Sequence, residues 1–376
     1  MLHEFWQNFA HNLFKPLLLF FYLGFLLAVL KVRFEIPYVI YQGLTMYLLV
    51  AIGWRGGEAL AHIDPWQIDN IAGFVVLGFV WNFANGMIAY FLLNYMTTMR
   101  RVDKATVAGY YASDGAGSFA TLMGVLTSIG MAYDAYMPVL LAVMEIPGCL
   151  LALYLVGRLR RQGMDAAGVM PDEPGYTEPV GAGPGAAAQR AYDARPTRQR
   201  RGRPRGVSRQ LLGEVFLNPG LALLIGGVVI GVISGLQGTQ VVRDDDAFFV
   251  SAFHGALCLF LLDMGMTAAR KLRDLRSAGR GFIVFGVLAP NLFATLGIAV
   301  AHAYALISDT HFKPGTYALF AILCAAASYI AVPAVQRLAI PEASPTLPLA
   351  ASLGLTFSYN VTIGIPVYIE IARLFG

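Results

Sequence analysis

Charge is what this sequence has least of. Asp, Glu, Lys and Arg make up 13% of its 376 residues, about half the share of a soluble domain, while apolar residues reach 57% and mean hydropathy is +0.60. So little charge cannot cover a water-facing surface, so a soluble domain is excluded and a polytopic membrane protein is expected. Cysteine is almost missing as well. Cys149, Cys258 and Cys324 fall in apolar runs without metal-ligand spacing, so they read as small hydrophobes and say little about redox compartment. No cleavable leader is expected. The start, MLHEFWQNFAHNLFKP, has no basic head before a short apolar core and a small-residue cleavage site, so its first apolar run is expected to stay as a span.

What is present is a series of apolar runs near the roughly 20 residues that a membrane span needs. Ten can be read: 13–30, 36–54, 71–96, 105–127 and 137–157, then 216–236, 248–268, 281–305, 315–336 and 347–372. They divide the chain into a first five-span unit over 1–157 and a second over 213–376. The segment between, 158–212, is rich in Gly, Pro, Ala and Arg; that composition buries no core, so it is expected to be a mostly disordered basic linker. Lys31, Arg33, Arg100, Arg101, Lys104, the linker, and Arg270, Lys271, Arg273, Arg276 and Arg280 fall on one side of these spans. Glu58, Asp64, Asp69, Asp134 and Asp244 to Asp246 fall on the other. The basic side is expected to be cytoplasmic, which puts both termini outside. Beside a bilayer, the arginine run reads as a topology anchor touching anionic lipid; nucleic acid is not expected as a partner.

The two units share a pattern. YQGLTMYLLVAIGWRGGEAL (41–60) aligns without gaps on FHGALCLFLLDMGMTAARKL (253–272), placing Gly43 on Gly255, Gly53 on Gly265 and Gln42 on His254. KPLLLFFYLGFLLAVL likewise aligns on NPGLALLIGGVVIGVI. Because five spans is an odd number, the second unit must run in the opposite sense. The expected fold is therefore all-α, with ten transmembrane helices as two inverted five-helix repeats, the architecture of secondary transporters.

Spans four and nine both break their apolar pattern, at ASDGAGSFAT (112–121) and at AASYIAVPAVQ (326–336), where Pro333 lacks a backbone donor. Such interruptions in corresponding spans predict discontinuous helices, and each new helix start offers free N–H groups and a positive dipole end to an anion. The candidate anion-binding residues are Ser113, Gly115, Ala116, Gly117 and Ser118 at the first break, and Ser328, Tyr329, Ile330 and Ala331 at the second. An acid at mid-span costs about 2.5–3.5 kcal/mol on insertion scales, so Asp114 is expected to be functional. A bare carboxylate there would repel an anion unless a cation or a proton neutralised it. Asp114 is therefore the candidate Na+ ligand, with the alternative that it only caps the following half-helix. Asp263, Glu145, Asn360 and Gln42 complete the candidate cation-binding set, although Glu145 and Asn360 could equally brace the broken helices.

At RVDKATVAGYYASDGAGSFAT, EIPG (145–148), LLDMGM (261–266) and SYIAVPAVQRLAIPEASPTLPL (328–349) the chain resembles the sodium-dependent bicarbonate permeases of cyanobacteria and other bacteria. The resemblance covers nearly all of both halves and excludes the linker. It implies a Na+-coupled bicarbonate symporter of the bacterial inner membrane, a homotrimer, and a small PII-like signalling protein docking on the cytoplasmic face. The family's serine-rich first break is occupied here by Asp114, Gly115 and Ala116, and its second-break acid by Tyr329. No cofactor beyond the coupling ion and no catalytic residue is expected. Two other readings compete: a proton- or Na+-coupled carrier of another small anion, and an intramembrane hydrolase using Ser118 with His254 or Asp114 with Asp263.

Overall fold

The computed structural model describes residues 13–64, 67–177, 218–275 and 279–375, and every regular element among them is helical. Polarity is arranged inside out relative to a soluble protein. Asn82, Asn85, Ser113, Asp114, Thr121, Ser352, Thr356 and Asn360 are fully buried, while Leu23, Leu26, Val76, Val80, Ile230 and Leu288 face outward. An apolar exterior is stable against lipid and not against water, so the protein is a membrane protein.

The first half contains α1 (Pro16–Val29), α2 (Tyr38–Leu60), α3 (Ile68–Met96), α4 (Arg101–Tyr111), α5 (Ala116–Ser128), α6 (Met137–Met144) and α7 (Ile146–Arg161). The second contains α8 (Pro219–Gln237), α9 (Thr239–Asp246), α10 (Ala252–Asp274), α11 (Arg280–Ser308), α12 (Pro314–Ala325), α13 (Ala331–Ala339) and α14 (Ile365–Ala372). Wider π-type turns precede α10 at Ala247–Ser251 and fill Ala350–Phe357 and Asn360–Gly364 before α14. Among the described residues, five helical stretches are long and apolar enough to cross a membrane: Ile68–Met96, Met137–Arg161, Pro219–Gln237, Ala247–Leu272 and Arg280–Ser308. Of the other expected runs, one lies in the continuous 23-residue α2, and the rest are shorter, like α1, or divided, like α4/α5 and α12/α13.

Helix contacts cross between the halves reciprocally. The first helix of each half, α1 or α8, packs along the second helix of the other, α10 or α2. Glycines set how closely they approach. A Cβ on Gly53 of α2 would collide with the Leu224 carbonyl of α8, and one on Gly265 of α10 with the Phe21 carbonyl of α1. Gly24 of α1 faces the Leu262 carbonyl, and Gly227 of α8 faces the Val50 carbonyl, in the same way. Small residues that let two backbones touch are how membrane helices associate without a hydrophobic drive between them.

Pro290 sits inside α11. Its missing N–H would leave the Gly286 carbonyl without a partner; the Thr356 hydroxyl donates to that carbonyl at 3.4 Å and also meets the Tyr111 hydroxyl at 2.5 Å. The last helical stretch is thus tied to both α11 and α4.

The expected linker is partly folded. Helix α7 continues past 157 to Arg161, and residues 162–177 form an ordered turn region. The remainder, 178–212, lies outside the described residues. Averaged composition hid this ordering, because a few polar contacts produce it. Arg160 makes a two-pronged ion pair with the buried Glu342 at 2.8 and 3.2 Å. The Asp165 carboxylate accepts from the N–H groups of Ala167 and Val169, both at 2.8 Å, and of Thr177 at 3.0 Å. The hydrogen bonds from Val169 and Thr177 are the largest causes holding the Asp165 carboxyl below its usual range. A depressed folded pKa contributes stability above the unfolded carboxyl value, and that stability is lost as pH falls through the folded one. Hydrogen exchange at the Val169 and Thr177 amides should therefore accelerate below about pH 4, and Asp165→Asn should show that fast exchange at neutral pH.

Candidate functional site

The two breaks lie at 112–115 and 326–330. They are shorter than the sequence pattern implies, since residues 116–118 already form the first turn of α5 and 331–333 that of α13. Pro333 is accommodated because the first-turn N–H groups of a helix have no partner within it. Gly115, at the N-cap of α5, has extended backbone, and no side chain caps either α5 or α13. Asp114 is not the cap; the N–H groups opening both half-helices remain available to a ligand.

The breaks meet each other. The Ser328 N–H donates to the Tyr110 carbonyl at 2.9 Å, and a Cβ on Gly115 would lie 3.1 Å from that of Ala326. Glu145, at the α6/α7 junction before Pro147, joins them. The Ser113 hydroxyl donates to its backbone carbonyl at 3.0 Å, and the Ser328 hydroxyl donates to its carboxylate at 2.9 Å. Ser328→Ala should lower stability by about 1 kcal/mol, because it removes the hydrogen bond that ties the second break to Glu145; a thermal melt of the purified chain measures it.

Asp114 is fully buried with its carboxyl against that of Glu145, and among the described residues no N–H or hydroxyl donates to it. A buried carboxyl and a half-buried one in contact cannot both carry bare charge at low dielectric; a cation or a proton must separate them. Around them lie two residues the sequence reading did not single out. On α3, Asn82 donates to the Met144 carbonyl at 2.9 Å and Asn85 to the Cys324 carbonyl at 3.4 Å. Both amides are fully buried, and both amide oxygens lack a partner. The donor half of each amide is fixed to a helix-end carbonyl, so the acceptor half is oriented rather than free to turn. Cys324 lies within electrostatic reach of Asp114, which brings Asn85 into the same neighbourhood. Carboxylate and amide oxygens are the donor set of a hard cation, so the residues present fit Na+. Two asparagines spaced i, i+3 in an apolar run are the signal that could have revealed them.

Other candidates are arranged differently. Asn360 is engaged as a brace: its amide donates to the Ala325 carbonyl at 3.1 Å, and its oxygen accepts from the Tyr368 hydroxyl at 2.9 Å. Asp263 is half-buried on α10, with Arg270 and Tyr41 as its charged and polar neighbours rather than Asp114. Gln42 is half-buried on α2. Gly117 is buried against the Tyr329 hydroxyl and the Phe260 ring, which fill the space a side chain would take. The Tyr329 hydroxyl is itself buried, facing the Gly117 backbone N–H. Ser118 is buried, Ala116 and Ile330 are half-buried, and Ala331 opens α13, its side chain lying outside the described residues. A cavity of about 10 Å³ lies between Ala116, Gly117 and Ile330 on one side and Thr45, Ile52 and Phe260 on the other. That is room for about one water, so this conformation is closed around the half-helix ends.

A family model described as the Na+-dependent bicarbonate transporter superfamily matches residues 16–373, nearly the whole chain. No curated protein sequence matches it.

Proposed function

The chain belongs to the Na+-dependent bicarbonate transporter superfamily, a family of transporters rather than enzymes, and from that premise we propose that it is a symporter moving bicarbonate with Na+ by alternating access. The observation that carries this reading is the fully buried Asp114, set against the Glu145 carboxyl and next to two uncapped helix starts. Na+ sits on the Asp114 carboxylate and the Asn82 and Asn85 amide oxygens. Bicarbonate sits at the N–H groups opening α5 and α13, within reach of the Tyr329 hydroxyl. Each ion offsets the other's charge in a site of low dielectric, so each lowers the cost of binding its partner. The cavity is too small for the anion, so loading requires α2 and α10, which carry Thr45 and Phe260, to move away from the breaks.

The scaffold for that motion is ten spans in two inverted five-helix repeats, with α4/α5 and α12/α13 as the discontinuous fourth and ninth. The reciprocal glycine contacts support it, because corresponding residues of the two halves meet corresponding carbonyls. Both termini lie outside and the basic face lies in the cytoplasm of a bacterium's inner membrane, as the Lys/Arg bias requires. The family resemblance further implies a homotrimer and a PII-like protein on that face. A proton-coupled carrier of another small anion is the second reading, favoured by the Asp114–Glu145 pair, which could share a proton in place of Na+.

Labelled bicarbonate uptake into proteoliposomes separates these. Uptake should follow an imposed inward Na+ gradient and fall to background when K+ replaces Na+. Uptake driven by a pH gradient without Na+ would replace the symport with the second reading. Tyr329→Phe, which removes only the hydroxyl, should weaken bicarbonate by about 10-fold, the worth of one lost charge-assisted hydrogen bond, with the Na+ requirement retained.

A further inference from the structure

A second polar cavity lies away from the breaks, where the ends of α3, α4 and α7 converge. It measures about 550 Å³, and its lining includes Arg101, Lys104 and Arg158 but no acid. Cations this close normally gather carboxylates. Arg101 does pair with Asp172. Among the described residues, no carboxylate lies within ion-pair distance of Lys104 or Arg158. The nearby Glu173 is already occupied, accepting from the N–H groups of Arg101 and Met170. Lys104 is also more than nine-tenths buried. Glu173 acts on Lys104 only from beyond ion-pair distance, and a buried ammonium without a contacting carboxylate is costly, so an anion entering the cavity would complete the arrangement.

The walls indicate what kind of anion. Tyr90, Asn94 and Gln162 add polar groups at the cationic floor, and Met87, Leu155 and Leu159 make one side apolar. From there an exposed apolar stripe runs along α3 at successive turns, through Met87, Phe91 and Tyr95, with the Phe91 and Tyr95 rings 4.6 Å apart. A freely diffusing phosphate has no use for that stripe. An amphipathic molecule with a negative head and apolar tails matches both parts. Basic pockets between membrane helices on the basic side are where phospholipid headgroups are held.

We propose that this cavity binds the phosphodiester headgroup of an anionic phospholipid, with Lys104 and Arg158 as its counter-charges and the Met87–Phe91–Tyr95 stripe as the track for an acyl chain. The site is separate from the Asp114 cluster and stands whether or not the transport reading does.

The test is direct binding of radiolabelled phosphatidylglycerol and of phosphatidylcholine with identical acyl chains to the full chain in neutral detergent. The intact protein should prefer phosphatidylglycerol. Arg158→Gln, at an exposed position, should reduce that preference about fivefold, and Lys104→Gln/Arg158→Gln about 30-fold. Arg33→Gln, an exposed cation elsewhere on the basic side, should leave it unchanged. Because Lys104 is buried, the double variant counts only if its melting temperature in phosphatidylcholine matches that of the parent; the single variant decides the matter otherwise. Equal phosphatidylglycerol binding by Arg158→Gln and parent would overturn the proposal. So would an equal loss in Arg33→Gln, which would mean diffuse surface attraction. Displacement of the lipid by inorganic phosphate at equal concentration would overturn the lipid as occupant and leave a soluble phosphate in its place.

Discussion

Asp114→Asn should yield a protein that melts at a higher temperature than the parent in sodium-free buffer and gains nothing when Na+ is added. The parent carries a fully buried carboxyl in contact with a second one, with no N–H or hydroxyl donating to it among the described residues. That arrangement is costly without a counter-ion, and the amide keeps the shape of the carboxylate without its buried charge. Na+ stabilises the parent by mass action, rising with the ratio of free Na+ to its dissociation constant; the amide removes the charge that Na+ answers. Sodium-driven bicarbonate uptake should fall by more than about 100-fold, since even outer partners of a metal ligand count for 10- to 100-fold in affinity. Thermal melts across a Na+ titration, paired with uptake, give both numbers. A variant that folds, melts like the parent and keeps its sodium dependence would move the cation site away from Asp114. Asn85→Ala provides a second reading of the same cluster: it should weaken Na+ while leaving Asp114 in place, and it should do so reciprocally, so that Na+ and bicarbonate lose equal fractions of their mutual tightening.

Gly53→Ala and Gly265→Ala should each destabilise the protein by about 3 kcal/mol, at the upper end of ordinary overpacking. Their added methyl groups point at backbone carbonyls, Leu224 and Phe21, which cannot rotate away as a side chain would. The helix pairs α2/α8 and α1/α10 would have to separate along their lengths. Gly43 and Gly255, the other aligned glycine pair, supply the control. Nothing lies within 4 Å of where their Cβ would be, so Gly43→Ala and Gly255→Ala should be neutral or stabilising by up to about 1 kcal/mol through helix propensity alone. The same substitution in the same two helices thus has opposite signs at positions ten residues apart. Melting temperatures of the four variants in detergent settle it; equal effects at both pairs would show that close approach is not what these glycines provide.

The breaks were legible because Gly and Pro act on backbone locally: Gly115 lies in the first break, and Gly117 and Pro333 mark the first turns of the helices that follow. Their edges were less so, since a helix start is decided by which N–H groups find partners, and Ser328 finds the Tyr110 carbonyl far along the chain. The correspondence of Gly53 with Gly265 could be read because both answer the same contact. Asn82 and Asn85 escaped notice. An asparagine in an apolar run carries no motif, and its meaning here depends on α3 passing between the carbonyls of Met144 and Cys324, which only the fold brings near. Asp263 stands apart from that cluster: it is half-buried on α10 near Tyr41, while Arg270, two turns along the same helix, pairs with Glu35. The ordering of 162–177 was hidden because composition averages over the segment, whereas Asp165 gathers its donors one N–H at a time.

The reciprocal crossing of α1 on α10 and α8 on α2 also bears on how the chain is made. When α1 emerges from the ribosome its partner does not yet exist, and the glycine face it will press against α10 has only lipid to meet until the second half has been synthesised. Neither half can finish its own packing, so assembly is a single late event rather than two sequential ones. A chain stalled between the halves should be an unguarded intermediate and a substrate for membrane proteases. By the same logic, two separately expressed pieces cut between 178 and 212 should find each other in the bilayer, because the surfaces that define each piece are completed only by the other.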